Sequence, residues 1–166
     1  SGSTNPVMIC SYSLCQGLFL GGVTWVYEKQ FEGIGILAVV LTLGILGAML
    51  TIYRAGLISW SKNLQIAVMS ALTAILMIYL ISFIGVFVGF EVPYIHEASP
   101  IGILFSVFVI CIASLCLVAD FDFIERGVER GAPKQLEWRA AFGLMVTLVW
   151  LYLEILELLA KVASRR

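Results

Sequence analysis

The stretch Ile34–Tyr53, IGILAVVLTLGILGAMLTIY, runs for twenty residues without a charge, and its reading decides the fold. The hydrocarbon core of a bilayer, ~30 Å thick, needs about 20 apolar residues at the rise of an α-helix. In lipid every backbone N–H and C=O must be paired within the segment. The run is therefore read as a helix, although its Ile, Val and Thr would favour a strand in water and no buried strand is this long. Outward from it, Pro6–Tyr27, Leu64–Phe90 and Ile101–Ala119 are also free of charge. Ala140–Ala160 is interrupted only by Glu154 and Glu157. No water-soluble fold needs five such runs in 166 residues. The sequence predicts an all-α, polytopic membrane bundle, with spans at about 6–27, 34–53, 64–90, 101–127 and 135–160 in one domain covering 6–166. Residues 1–5 read as a processed end or a cloning remnant, having no Met and no basic leader region.

Composition supports this reading. Hydrophobic residues make up 61% and charged ones 13%, against about 45–50% and about 25% in soluble domains. The net charge of -1, with no basic stripe, gives no footprint for nucleic acid. HExxH, CxxC, GxSxG and phosphate-loop patterns are absent, so the expectation is a protein that is not an enzyme, with no cofactor and no metal site. Cys10 and Cys15, and Cys111 and Cys116, lie five apart within spans. That spacing is about 140° around a helix, so the thiols read as small packing residues. His96 sits between Tyr94 and Glu97 in a loop and reads as solvated, with weak cation binding beside Glu91 and Glu97 as the alternative.

Orientation follows from basic residues. The second and fourth connections carry Arg54, Lys62, Arg126, Arg130, Lys134 and Arg139, while the first and third carry only Lys29. By the positive-inside rule the second and fourth connections face the cytoplasm. Lys161, Arg165 and Arg166 then fall on the outer side, against the rule. Trp25, Tyr27, Tyr53, Trp60, Phe90, Tyr94 and Trp138 stand where an interfacial aromatic belt belongs, whereas Trp150 and Tyr152 read as packing residues. Gly17 with Gly21, and Gly85 with Gly89, form two GxxxG pairs expected to let helix backbones approach.

Few polar groups remain to carry a function. The fourth helix is expected to continue past Ala119 to about Gly127, with Gly127 or Gly131 ending it and Pro133 starting the next. That places Asp120 about two turns, ~10 Å, inside the helix end. An acid at that depth is costly unless protonated, paired or hydrated, and so is a functional candidate. The alternative is an interfacial carboxylate, solvated or paired with Arg126, Arg139 or Arg54. Asp122, Glu125 and Glu129 read as solvated or paired with neighbouring arginines. Glu154 is either intramembrane or interfacial, and Glu157 reads as an interfacial partner of Lys161.

Several of these segments together are similar to a known family. Asp120-Phe-Asp-Phe-Ile-Glu-Arg-Gly, Gly131-Ala-Pro-Lys, Glu137-Trp and Thr147-Leu-Val-Trp-Leu-Tyr-Leu-Glu-Ile-Leu resemble the C-terminal end of the Bax inhibitor-1-like (transmembrane Bax inhibitor motif) family, in its bacterial branch. Gln16-Gly-Leu-Phe-Leu-Gly, Gly33-Ile-Gly-Ile and Tyr53-Arg-Ala-Gly fit the same pattern. The resemblance implies a seven-helix fold whose last helix is surrounded by the others, this chain looking like helices three to seven. Lipid or a membrane-protein partner would then cover the faces of the missing pair. It also implies a bacterial plasma membrane, and an association with proton-sensitive calcium leak, suppression of cell death and modulation of a membrane AAA protease. The family's leak is attributed to two aspartates sharing a proton. Asp120 matches the first; Thr147 stands at the second position, and Glu154 is one heptad further on.

Two functions follow as expectations. One is a pH-modulated calcium or other cation leak, with Asp120 as sensor and Thr147, Glu154 and Asp122 as associated groups. The other is a non-catalytic interaction protein that binds or regulates a membrane protease or another membrane complex. A membrane enzyme would need Asp120, Asp122 and Glu154 to converge, and their expected depths keep Glu154 apart.

Overall fold

A computed structural model describes residues 5–89 and 98–166. His96, Phe90, Glu91, Tyr94 and Glu97 lie outside the described residues, as do residues 1–4. Five helices follow one another: α1 (Pro6–Gln30), α2 (Ile34–Arg54), α3 (Lys62–Val88), α4 (Pro100–Glu129) and α5 (Gln135–Ser164). All five are long and apolar enough to cross a membrane. The protein is thus an all-helical, multi-pass membrane protein.

Local chemistry sets the helix ends. Asn5 accepts a hydrogen bond from the Val7 N–H and Pro6 occupies the first turn of α1. Ser61 caps α3 through the Leu64 N–H, and Ser99, followed by Pro100, caps α4 through the Gly102 N–H. The α1–α2 connection is only three residues, 31–33, and Gly33 turns it with φ 82°. Gly33 has no side chain to cap α2, so Glu28 reaches forward from α1. Its two oxygens accept from the N–H groups of Gly33, at 2.6 Å, and Gly35, at 2.9 Å. A carboxylate at a helix N-terminus satisfies orphan donors and complements the dipole. α4 ends at Glu129, and Gly131, at φ 59°, turns the chain toward Pro133 and α5.

Two helices organise the bundle. α5 packs on α1, α2 and α4, and α4 packs on α2, α3 and α5. The larger core cluster holds Ala38 from α2, Ala113 and Leu117 from α4, and Leu151 and Leu156 from α5, all with no exposed surface. A smaller cluster of Val68, Ile75, Val109 and Ile112 joins α3 to α4. α1 contributes no buried residue. Large side chains such as Leu18, Ile36, Val86 and Leu104 point outward, each at least 70% exposed. In water such a surface would drive aggregation. Against lipid tails it is ordinary, and helix association there rests on close packing and interhelical hydrogen bonds.

Three sequence expectations change here. Gly17 and Gly21 do not form a packing seam within the chain, because a Cβ at either would meet nothing within 4 Å. Of the second pair, Gly85 is buried, but Gly89 ends α3 with φ 75° and is exposed. Glycine serves at 89 for its left-handed backbone rather than for helix contact. Cys10, Cys15 and Cys111 are exposed free thiols rather than packing residues, and Cys116 is half-buried.

Candidate functional site

The polar side chains that sequence left unplaced gather in the faces between α5 and its neighbours. They form two separate layers. The first lies in the α4–α5 seam. Asp120 on α4 sets its Oδ1 against Gly143 on α5, where an added Cβ would stand 3.4 Å from that oxygen. Glycine at 143 leaves room for the carboxyl. Thr147, one turn further along α5, brings its hydroxyl to the Asp120 carboxyl, and also donates to the Gly143 carbonyl at 3.1 Å. The second oxygen, Oδ2, is buried and has no hydrogen-bond partner among the described residues. The alternative pairing of Asp120 with Arg126, Arg139 or Arg54 is not met. Among the described residues Asp120 makes no ion pair, and Arg126 pairs instead with Asp122, at 2.8 Å. Glu125 accepts a hydrogen bond from the Tyr53 hydroxyl of α2. Asp122 and Glu125 are thus committed at the end of α4, while Asp120 faces inward.

The second layer is further along α5; from Gly143 to Glu154 the helix rises ~16 Å. Glu154 is 6% exposed. Its Oε1 accepts from the Tyr79 hydroxyl of α3 at 2.7 Å and from the Trp150 indole N–H at 3.1 Å. Glu154 is thus held inside the bundle rather than on its outer surface. Two turns on, Lys161 is 5% exposed. Its Nζ meets Glu157 Oε1 at 2.8 Å, Ser106 Oγ of α4 at 2.8 Å and the Gly102 carbonyl at 3.4 Å. The expected Glu157–Lys161 pair exists, but its lysine points into the bundle.

α1 is attached to this framework by polar contacts. Thr24 and Tyr152 share a hydrogen bond of 2.8 Å, and Ser13 donates to the Met145 sulfur at 3.0 Å. Trp150 and Tyr152, read from sequence as packing residues, each hold a polar partner. The sequence reading missed Tyr79 and Ser106. The only signal for either was an isolated polar atom in an apolar helix.

Chemically, the first layer holds one acid whose surroundings supply a hydroxyl and little else. The second holds a carboxyl stabilised by two neutral donors and a carboxylate–ammonium pair. Neither layer is a nucleophile–base arrangement, and no cluster of three metal-ligating side chains occurs among the described residues.

Comparison with known proteins gives one match. The family described as Bax inhibitor 1 like matches residues 1–164. No curated protein matches the chain, and no solved structure does.

Proposed function

The chain belongs to the Bax inhibitor 1-like family, and from that premise we propose that this multi-pass membrane protein is a pH-modulated cation leak, calcium being the expected ion, with Asp120 as its proton sensor. The observation that carries the reading is the buried Oδ2 of Asp120 in the α4–α5 seam, which has no partner among the described residues. An ionised carboxyl with an orphan oxygen in that setting needs water or a cation beside it, whereas a protonated one is a neutral donor. The two forms thus favour different packing of the seam, which is what a proton-sensitive gate requires. The groups around the carboxyl include the Thr147 hydroxyl, the Cys116 thiol one turn back and Gly143 on α5. Thr147 serves as hydrogen-bond partner rather than second acid. Glu154, in its own layer, serves as a further acid along the α5 face. The setting is a bacterial plasma membrane, and no catalytic step is assigned.

The test is calcium flux into dye-loaded liposomes, across a series of pH values, for the wild type and Asp120→Asn. Asparagine keeps the shape and cannot titrate. The wild-type flux should depend on pH and the variant's flux should not. Equal flux for both at every pH refutes the sensor. Absence of flux from both, with a membrane protease or complex co-purifying with either form, favours the interaction protein instead.

A further inference from the structure

At the end of the bundle that carries the second and fourth connections, a cavity of about 800 Å³ opens between the start of α3, the end of α4 and the start of α5. It is separate from both polar layers. Its polar mouth carries Lys62, Arg126 and Arg130 with Asp122 and Glu137, one net positive charge. Asp122 is taken up by Arg126. Lys62 and Arg130 make no ion pair among the described residues. Two helix N-termini border the same mouth, α3 beginning at Lys62 and α5 at Gln135. The α5 end has no side-chain cap; its Leu136 and Glu137 N–H groups turn back onto the Pro133 and Lys134 carbonyls, so the basic side chains rather than this helix end supply the attraction for an anion. Below the mouth the walls turn apolar, with Ala119, Phe123 and Ile124 on one side and Leu136 and Ala140 on the other. From Arg130 back to Ala119 the lining descends ~16 Å along α4. Phe123 and Val128 are 45% and 78% exposed, which continues the cavity into the outward apolar surface. Trp60, on the α2–α3 connection, stands at the rim.

We propose that this cavity seats the phosphate of an anionic phospholipid, with the head of the lipid between Lys62 and Arg130 and the first part of an acyl chain along Phe123 and Leu136. A free phosphate would use only the mouth. The apolar throat open to the bundle surface is what commits the occupant to a lipid. The mouth is built on the two connections that the positive-inside rule assigns to the cytoplasmic face, and basic residues there attract anionic leaflets. Glu137 weakens the site and sets its preference for a single negative charge. This proposal is independent of the leak, because it is read by binding alone.

The experiment is native mass spectrometry of the delipidated full chain, titrated with phosphatidylglycerol or phosphatidylcholine of matched acyl chains. Wild type should retain phosphatidylglycerol preferentially. Each basic residue near an anionic headgroup changes affinity roughly fivefold, so Lys62→Gln with Arg130→Gln should lower the preference roughly 25-fold. Glu137→Gln should raise it, and Arg165→Gln with Arg166→Gln, at the other end of α5, should leave it unchanged. Equal retention of both lipids by the wild type overturns the proposal, as does an equal loss in the Arg165 and Arg166 variant. Displacement of the lipid by excess glycerol 3-phosphate would assign the mouth to a soluble phosphate and overturn it too. Should the double variant fold poorly, brominated phosphatidylglycerol provides a second reading. It should quench the wild type more than Trp60→Phe, and equal quenching counts against the site.

Discussion

Lys161→Met tests the second polar layer most directly. The lysine Nζ is held by Glu157 and Ser106, both at 2.8 Å, and by the Gly102 carbonyl at 3.4 Å. Methionine fills nearly the same volume and removes all three contacts. Stranding one member of a buried ion pair costs about 3–5 kcal/mol. Glu157 keeps 28% of its side-chain surface, so surrounding solvent and headgroups soften the loss and the lower end, about 3 kcal/mol, applies. For a chain of this size about 2–4 °C per kcal/mol is expected, hence a fall in Tm of roughly 6–12 °C. The assay is thermal unfolding of the detergent-solubilised full chain. Adding Glu157→Leu removes the carboxylate that has lost its lysine and should recover at least half of the loss, since an apolar pair can replace a buried ion pair at little cost. The reasoning fails if Lys161→Met is as stable as the wild type. It also fails if the double variant loses the sum of the two single effects, because that would mean the groups do not interact.

Tyr79→Phe leaves Glu154 with the Trp150 donor alone among the partners described above, and should cost about 1–3 kcal/mol of stability; an unchanged unfolding midpoint in the same thermal assay would show that the α3–α5 bridge carries no energy. Gly35→Ala places a Cβ 2.7 Å from the Thr24 methyl and 3.2 Å from Glu28 Oε2. Thr24 is held in place by its bonds to Leu20 and Tyr152, so overpacking of about 1–3 kcal/mol should exceed the helix-propensity gain of up to about 1 kcal/mol. Gly47→Ala, where nothing lies within 4 Å, should be neutral or stabilising by up to about 1 kcal/mol, and a destabilised Gly47→Ala beside a neutral Gly35→Ala would reverse the packing argument.

The five helices were legible because the requirement that lipid imposes is local. A run such as Ile34–Tyr53 must pair its own backbone, whatever its neighbours do. The break between α4 and α5 was legible for the same reason, with Gly131 ahead of Pro133. Of the acids' partners, Lys161 for Glu157 followed from helical spacing and Thr147 for Asp120 from the family resemblance, but Tyr79 and Ser106 did not. Tyr79 meets Glu154 and Lys161 meets Ser106 only because of how each helix is rotated about its axis. In spans apolar on every side, no stripe of residues records that rotation. Depth marked Asp120 as a candidate without telling Gly143 from Arg126 as its neighbour, and only the family resemblance pointed to Thr147. GxxxG spacing misled at Gly17 and Gly21, since it marks a surface capable of close approach and does not supply the helix that approaches.

The contacts of α3 have a mechanical consequence. Among the described residues α3 packs chiefly on α4, and its Tyr79 phenol reaches Glu154 on α5 beside Trp150. On that side the Tyr79 hydroxyl ties the seating of α3 to the acid on α5. Loss of that hydroxyl would take from Glu154 one of its two described donors, so how α3 sits and how well the carboxyl is satisfied are coupled.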